Sequence, residues 1–366
     1  MKFVITLGVI FLLSSCGIDD TIDGNDGDNG SSGSGWEKEW SSEGIDTLNA
    51  IAVSPDNRVY VGGLTLGDLY AVNVGIDATL AAFDSRGNEM WGKQWSVIDD
   101  ENDVWGLVVD DEGNIYAGGG GHNPFIIKFS PDGTKIWEKF PDVDTVYCLA
   151  LDNSGNVYAG TGYGDILKFS PEGKELWHYN ISTEDAEGEI KALAVDSEGN
   201  VYAGGIAWND LFGESAGGCD AFLVKLAPDG THAWEKQWGG EGYDRAYSIA
   251  IDNMKNIYVG CGTDKTAEIL LKFSPDGNKL WGNEGSAVNY KALALDNENN
   301  LYVGIGYNQN LVEKYTSDGE KICDTNDEGQ WDWSVSGIAL DSNGNLYVCG
   351  GKNENNLIKI PVSEMK

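Results

Sequence analysis

The sequence is short of positive charge. Its 366 residues include 24 Lys and Arg against 59 Asp and Glu, and the formal net charge is −35. A surface this acidic repels phosphate backbones, so nucleic acid is excluded as a partner. The charge instead favours a well-solvated surface, a cationic partner or weakly bound divalent cations.

Histidine and catalytic motifs are equally scarce. The three histidines are His122, His178 and His232. The chain has no Gly-x-Ser-x-Gly, His-Glu-x-x-His or phosphate-binding loop, and no Cys-x-x-Cys pair or His/Cys cluster that would predict a metal site. We therefore expect no catalytic residue, no cofactor and no metal, and a protein that binds rather than catalyses.

Cysteine is too sparse and scattered for a disulfide framework. Beyond Cys16 there are five cysteines, an odd number, spread from Cys148 to Cys349. Cys148 lies in an apolar stretch, and Cys323 stands where other repeats carry Trp. We interpret both as substitutions in the core.

No apolar run is long enough to remain in a bilayer as a helix. The run from Phe3 to Leu13 follows Lys2 and ends in small residues, a pattern typical of a secretory signal. Its end, Leu13-Ser14-Ser15-Cys16, resembles the lipobox of bacterial lipoproteins, which implies a signal peptide over 1–15 and lipid attachment at Cys16. The Gly, Ser, Asp and Asn of 16–35 predict a flexible acidic tether. Because Gly17 follows the Cys, we expect an outer-membrane lipoprotein if the source is Gram-negative.

What the chain does have is a repeat. An apolar stretch, Asp-x-x-Gly-Asn, an apolar-Tyr pair, small residues, then Phe-Ser-Pro-Asp-Gly and Trp recur about every 45 residues. The Tyr of this phrase falls at seven positions: Tyr60, Tyr116, Tyr158, Tyr202, Tyr258, Tyr302 and Tyr347. We refer to the seven units as copies one to seven.

Each copy divides into four short strands, A to D. In copy four, strand A is the run that ends at Asp196 and strand B is Asn200 to Gly204. Tight turns join A to B and C to D, because Asp, Gly, Asn and Pro favour their dihedral angles. Four-stranded meanders repeated in this way predict the blades of a β-propeller. A solenoid is the alternative, but it would need capping repeats at its ends, and none is visible.

The two ends of the domain complete one blade. Copy seven stops after its strand C, whereas the domain starts with Gly-Trp-Glu-Lys-Glu-Trp from Gly35, an isolated strand D. The strand at Trp36 should therefore pair with 356–361 and leave no free sheet edge. The predicted fold is all-β: a seven-bladed β-propeller over 36–366, with four antiparallel strands per blade and the N-terminal strand completing the last blade.

The stretch from Gly217 to Gly260, with its Gly-Cys-Asp-Ala-Phe-Leu-Val-Lys-Leu, Trp and Gly-Gly, resembles the bacterial beta-propeller repeat of SBBP type. This resemblance implies the propeller fold and says little about activity. Copy three, from Gly160 to Trp177, is similar to the quinoprotein-type repeat with its docking Trp. A quinoprotein dehydrogenase would also need calcium ligands and vicinal Cys residues, which this sequence does not have.

The repeat pattern also predicts where a ligand binds. The B–C loops and D–A crossings hold every insertion, and variable loops on a rigid scaffold commonly form binding sites. This face carries Trp208, Phe212, Trp331 and Trp333 among acids that include Asp103, Asp210, Glu214 and Asp244. Where strand A enters the channel from this face, the copies read Asn49, Trp105, Tyr147, Lys191, Tyr247, Lys291 and Ser336.

The candidate ligand- or partner-binding residues are Trp105, Tyr147, Lys191, Tyr247, Lys291, Trp208, Trp331 and Trp333. Two structural alternatives stay open: the loop aromatics pack back onto blade edges, and the channel residues pack between blades with the Lys paired to acids. We expect a monomeric, lipid-anchored binding or scaffold protein of the cell envelope whose ligand is a protein or a carbohydrate. The alternative is a channel-sited enzyme of glycan lyase or hydrolase type.

Overall fold

The computed structural model describes residues 35–42, 44–72, 75–96, 102–121, 123–306, 310–326, 334–351, 356–361 and 365. The predicted signal peptide, the lipid-attachment residue Cys16 and all but the last residue of the tether lie outside these ranges. Within them, no helix has the length and apolar character needed to cross a membrane.

The described chain forms 26 β-strands in six sheets, all with antiparallel neighbours. The first sheet contains β2 (Asp46–Val53), β3 (Val59–Thr65), β4 (Asp77–Phe83) and β5 (Glu89–Trp95). The second contains β6 (Val104–Val109), β7 (Ile115–Gly119), β8 (Phe125–Phe129) and β9 (Lys135–Lys139). The third contains β10 (Val146–Leu151), β11 (Val157–Thr161), β12 (Asp165–Phe169) and β13 (Glu175–Asn180).

The remaining sheets differ in size. The fourth contains β14 (Glu187–Val195), β15 (Val201–Trp208), β16 (Asp220–Leu226) and β17 (His232–Trp238). The fifth has six strands: β18 (Arg245–Ile251), β19 (Ile257–Phe273), β20 (Lys279–Leu295), β21 (Leu301–Gly306), β22 (Asn310–Tyr315) and β23 (Lys321–Asn326). The sixth contains β24 (Val335–Leu340), β25 (Asn345–Gly350), β26 (Asn356–Pro361) and β1 (Trp36–Glu39).

The strand pairing thus yields six sheets where the sequence predicts seven. The difference lies in copies five and six. Strands β19 and β20 are each 17 residues long and unbroken, and β20 pairs with β19 along its first part and with β21 along its second. Extended backbone that continues through one B–C loop and one D–A crossing therefore joins the two copies into a single sheet.

The innermost strands close a ring. Strand β2 contacts β6, and the contacts continue through β10, β14, β18, β20 and β24 back to β2. Where these strands meet, a small residue of one faces a large residue of the next. A Cβ on Gly106 would lie 3.0 Å from the backbone of Leu149, and one on Gly337 would lie 2.9 Å from Ile51 Cγ2. Small residues that face large ones in this way allow the innermost strands to pack closely around a crowded axis.

The N-terminal strand completes the last sheet, as the sequence predicts. Strand β1 pairs with β26, with Trp36 opposite Lys359 and Glu39 opposite Asn356. The Trp36 indole N–H also donates to the Ser85 carbonyl in the first sheet, 3.2 Å away. One short strand therefore covers a sheet edge and ties the end of the ring to its beginning.

The buried Tyr of each copy is held by the turn that precedes it. In copy four, Asp196 Oδ2 accepts hydrogen bonds from Asn200 Nδ2 at 2.7 Å and from the Tyr202 hydroxyl at 3.3 Å, and Oδ1 accepts from the Asn200 N–H. The same Asn and Tyr bonds are made by Asp110, Asp152, Asp252, Asp296 and Asp341. The recurring Asp-x-x-Gly-Asn-x-Tyr phrase is thus a self-contained turn that fixes a fully buried aromatic ring.

The strand-D tryptophans connect successive copies. Each donates its indole N–H to a carbonyl in the C–D turn of the following copy, and the indole covers the positive-φ Gly of that turn, as Trp137 does with Pro171 and Gly173. The pairs are Trp91–Pro131, Trp137–Pro171, Trp177–Pro228, Trp234–Pro275, Trp281–Ser317 and Trp36–Ser85. We call this contact the tryptophan latch.

The five described cysteines are all free and buried, which agrees with the absence of a disulfide framework. Cys323, in copy six, occupies the latch position and is 6% exposed. Here the neighbouring Lys314 Nζ donates to the Met365 carbonyl at 3.4 Å, and Met365 is fully buried. A residue from the C-terminal end thus supplies the carbonyl that a C–D turn supplies elsewhere.

Candidate functional site

A β-bulge interrupts every innermost strand near its start. In β6, the pairing with β7 skips from Val104 to Gly106, which leaves Trp105 as the extra residue. The residues skipped in the seven innermost strands are Asn49, Trp105, Tyr147, Lys191, Tyr247, Lys291 and Ser336. They are the seven channel residues singled out in the sequence, and a bulge redirects the side chain of the residue it frees.

The exposure of the bulge residues agrees with their position on the bulges. Each bulge residue is at least partly exposed, whereas both of its chain neighbours are buried. Trp105 is the most open, with 40% of its surface exposed. Glycines on the paired strand make the bulge possible, since a Cβ on Gly119 would lie 1.8 Å from the Asp103 carbonyl and one on Gly205 would lie 1.7 Å from the Glu189 carbonyl. The seven side chains therefore form a partly solvated ring at one end of the innermost strands.

Three of these residues form a contiguous group on neighbouring strands. The rings of Trp105 and Tyr147 meet edge to face, with centroids 5.9 Å apart. Lys191 Nζ lies 3.4 Å from the centroid of the Tyr147 ring and 2.7 Å from Glu189 Oε2. We call Trp105, Tyr147, Lys191 and Glu189 the aromatic–cation cluster. It combines an exposed indole, a cation–π contact and a carboxylate within a short span of strands β6, β10 and β14.

The carboxylates around this cluster shape its electrostatics. Burial, followed by the negative charges of Glu189 and Asp144, raises the pKa of the Tyr147 hydroxyl. Tyr147 therefore stays a neutral donor at physiological pH. Tyr163, which is 66% exposed, also acts on Tyr147 electrostatically and lies at the same end of the ring.

Beside the cluster, Asn49 and Asp103 are joined by a hydrogen bond. Asn49 Nδ2 donates to Asp103 Oδ1 at 2.7 Å. Asp103 is only 6% exposed, and this burial raises the pKa of its carboxyl to about 7, against the opposing effect of hydrogen bonds from Asn49 and Val104. The sequence placed Asp103 among the exposed acids of the loop face, and that expectation is wrong: its side chain turns inward and packs under the bulge.

The other bulge residues make fewer contacts with one another. Lys291 Nζ donates to Ser334 Oγ at 3.3 Å, and burial lowers the pKa of its ammonium group. Tyr247 packs against Gly262, where a Cβ would come within 2.6 Å of its ring. Ser336 and Asn49 flank the closure between the last and first innermost strands. The ring is therefore uneven: the aromatic–cation cluster lies in copies two to four, and Tyr247 of copy five is outside it.

The aromatic residues predicted in the loops of this face differ in exposure: one is partly open to solvent and another packs against a blade. Trp208 ends strand β15, opposite Glu187, and is partly exposed. Phe212 packs against Phe222 with ring centroids 5.4 Å apart, so it belongs to a blade edge. Asp244, expected in the exposed set, is only 2% exposed. Trp331 and Trp333 lie outside the described residues.

Reasoning from sequence missed Glu189 and Tyr163. Glu189 stands two residues before Lys191 on the same strand, and that spacing was a usable signal because alternate residues of a strand share a face. Tyr163 lies in a short B–C turn with no periodic pattern, so no signal identified it.

The described histidines are remote from the ring. His178 Nε2 lies 2.7 Å from Asp165 Oδ1 and His232 Nε2 lies 2.6 Å from Glu235 Oε2, both on strands at the outer edge. His122 lies outside the described residues. Across the described ranges, no group of three or more His, Cys, Asp or Glu side chains is arranged to hold a metal ion.

Known structures share this architecture. One described as the Dos1 propeller superposes with a TM-score of 0.52, and the match covers 88% of this chain and 94% of that chain at 11% sequence identity. The chain is a β-propeller. A protein of unknown function from Bacteroides caccae matches with a TM-score of 0.49 and 16% identity over 69% of this chain and 90% of that chain. No protein-family model and no curated protein matches the sequence.

Proposed function

We propose that this propeller is a binding or scaffold protein that engages a protein or a glycan through the face where the bulge residues emerge. The observation that carries this is the aromatic–cation cluster, in which Trp105 is 40% exposed although both of its neighbours are buried. A large indole held open by a bulge on a rigid scaffold is available to a ligand without reorganisation of the protein.

The chemistry of the cluster fits a glycan best. The apolar face of a sugar ring stacks on an indole. Its hydroxyls can accept hydrogen bonds from the Lys191 ammonium and donate them to the Glu189 carboxylate, whose Oε2 lies 2.7 Å from Lys191 Nζ. A protein partner would instead insert a cationic side chain against the aromatic rings. Among the described residues, no observation favours the alternative of a channel-sited glycan lyase or hydrolase.

The test compares Trp105→Ala with Phe140→Ala. Phe140 is also exposed, at 53%, but follows the outer strand β9. A glycan array and capture from envelope extract with the purified chain should identify a ligand whose affinity falls at least ~10-fold in the Trp105 variant and stays unchanged in the control. Equal binding by both variants would remove the cluster as the site, and capture of a protein without glycan binding would identify the partner class as protein.

We propose that the chain is exported and carries a lipid on Cys16, which would hold the propeller at a cell-envelope membrane, the outer one in a Gram-negative cell. The support is the sequence Leu13-Ser14-Ser15-Cys16 after a short apolar run. Metabolic labelling with a fatty acid should mark the wild-type chain and leave Cys16→Ala unlabelled. Labelling of both would contradict the anchor.

We further propose that the ring has seven blades of the SBBP-type repeat, with the six-stranded sheet counting as two. Trp281 and Ser317 both belong to that sheet, yet they form the same latch, at 3.1 Å, that elsewhere joins separate sheets. The innermost segments β18 and β20 also contact each other as neighbouring sheets do. An experimental structure in which β19 and β20 each divide into two strands would support seven blades, and unbroken central strands would support six.

A further inference from the structure

Two acidic residues that are not part of the aromatic–cation cluster lie side by side at the end of the fourth sheet where strand β16 begins. Asp220 begins strand β16, and Asp244 immediately precedes β18. A parallel bridge pairs Cys219 with Tyr243, and the Asp244 N–H donates to the Cys219 carbonyl at 2.9 Å. This pairing places the two carboxylates on adjoining segments. Both are enclosed, with 1% of Asp220 and 2% of Asp244 exposed.

Each carboxylate uses one oxygen and leaves the other without a partner. Asp220 Oδ2 accepts from Gln237 Nε2 at 2.9 Å and from the Ala216 N–H at 3.1 Å. Asp244 Oδ2 accepts from the Gly240 N–H at 2.7 Å. Oδ1 of Asp220 and Oδ1 of Asp244 are both buried and have no hydrogen-bond partner among the described residues.

Gly239 brings the two acids together. A Cβ on this residue would lie 2.4 Å from Asp220 Oδ1 and 2.9 Å from Asp244 Oδ2. Only a residue without a side chain lets the loop pass between the carboxylates this closely. The space next to Gly239 is therefore lined by oxygen atoms from both acids.

The charge of this pair needs compensation. No Lys, Arg or His in the described chain forms an ion pair with either acid at 4.0 Å or less. Arg245, the next residue in sequence, has its guanidinium carbon 5.7 Å from the centroid of the Tyr243 ring. Two like charges buried together without a cation strongly destabilise a fold, because neither water nor a counter-charge offsets their desolvation.

We propose that Asp220 and Asp244 form a binding site for a divalent cation, with Ca²⁺ as the best chemical fit. Hard cations take oxygen ligands, and Ca²⁺ accepts a mixture of carboxylates, peptide carbonyls and water. The glycine-rich loops 216–219 and 239–243 flank the two acids and pack against each other, since a Cβ on Gly217 would lie 2.3 Å from the Gly240 carbonyl oxygen and 2.8 Å from the Gly242 carbonyl oxygen. Oδ1 of Asp220 and Oδ1 of Asp244 are buried and unpartnered among the described residues. This observation indicates a cation in its own right, in addition to the proximity of two acidic residues.

Copy one provides an internal control with one charge fewer. There Asp77 takes the place of Asp220 and accepts from Gln94 Nε2 at 2.8 Å, as Asp220 does from Gln237. Asn102 takes the place of Asp244, since its N–H donates to the Ile76 carbonyl at 3.0 Å. An amide in place of the second carboxylate lowers the affinity for a cation, because affinity depends on the number of charged ligands.

The experiment titrates the full chain with Ca²⁺ after treatment with a chelator, using calorimetry and thermal unfolding. We expect saturable binding with a stoichiometry near one and a Tm that rises with Ca²⁺ concentration. Asp220→Asn and Asp244→Asn should each weaken binding at least ~10-fold, and the matched variant Asp77→Asn should change it less than ~2-fold.

The Asn variants retain the shape of the side chain and remove one of two like charges. In chelator they should therefore be at least as stable as the wild type, which confirms that they fold. Saturable binding unchanged in both variants would overturn the site. So would a wild type that binds neither Ca²⁺ nor Mg²⁺.

Discussion

At the scale of single residues, the burial and hydrogen bonding of a side chain depend on which neighbouring atoms surround it. The turn Asp shows this: in six copies it accepts a hydrogen bond from the hydroxyl of the buried Tyr, whereas copy one has Ser54 at this position and therefore has no Asp carboxylate to hold Tyr60. Asp103 is a second example. It belongs to an acidic loop, yet its carboxyl is buried next to the bulge at Trp105.

Asp103 gives a pH-dependent prediction. Its pKa is raised from the usual value of about 4 to about 7 in the fold. The folded state therefore favours the protonated acid, and the stability that this contributes is complete below about pH 4 and lost as pH rises to about 7. Asp103→Asn keeps an acceptor for Asn49 without the charge. It should unfold like the wild type at pH 4 and be more stable by roughly 2–4 kcal/mol at pH 8.

Denaturant unfolding of both proteins from pH 4 to pH 8 measures this difference. A constant gap between the two curves would show that the Asp103 carboxyl is ionised in the folded protein throughout. Subtracting the curves removes the contribution of the many other acids, which are common to both chains.

At the scale of elements, the tryptophan latch is the contact that turns separate sheets into a ring. It joins strand D of one copy to the C–D turn of the next, and a buried Lys of strand C often donates to the same carbonyl, as Lys168 and Trp177 both do to Pro228. Copy six is the exception, because Cys323 has no indole to donate and Met365 accepts from Lys314 instead. The junction between copies six and seven therefore depends on the C-terminal residues.

Trp137→Phe tests the latch. The change removes the 2.9 Å bond to the Pro171 carbonyl and part of the cover over Gly173, and it should cost about 1–3 kcal/mol of unfolding free energy. Ile136→Ala, at a position that is 51% exposed on the same strand, should cost less than ~0.5 kcal/mol. If urea denaturation gives equal losses for the two variants, the indole bond does not stabilise the ring.

At the scale of the whole molecule, closure depends on β1. Removing 35–40 would expose the edge of β26, break the latch to Ser85 and remove the buried Trp40, whose indole donates to the Tyr70 hydroxyl at 2.8 Å. We expect this deletion to cost more than ~5 kcal/mol and to cause aggregation through the open edge. Deleting the exposed Gly213 and Glu214 from an internal loop should leave the Tm within a few degrees of the wild type. Comparable losses of Tm in the two deletions would contradict closure by β1.

The sequence predicted the propeller, the four-stranded units and the pairing of β1 with β26, because turn residues and a period of strands are local signals. It also identified the seven residues that sit on bulges, since strand A keeps a constant distance from its turn Asp. It could not show that copies five and six share one sheet, because a loop and the continuation of a strand can have the same amino-acid composition. The burial of Asp103 and Asp244 was equally hidden, since it depends on which distant loops cover them.

The pairing of β1 with β26 has a consequence for how the protein forms. The first described strand to leave the ribosome has the last strand as its partner, and the two are separated by more than 300 residues of chain. Until synthesis is nearly complete, Trp36 and Trp40 can make their side-chain contacts with Ser85 and Tyr70 of the first sheet, but the strand with which the backbone of β1 pairs does not yet exist. A factor that holds this N-terminal segment until β26 is available would therefore determine how much of the chain reaches its closed state.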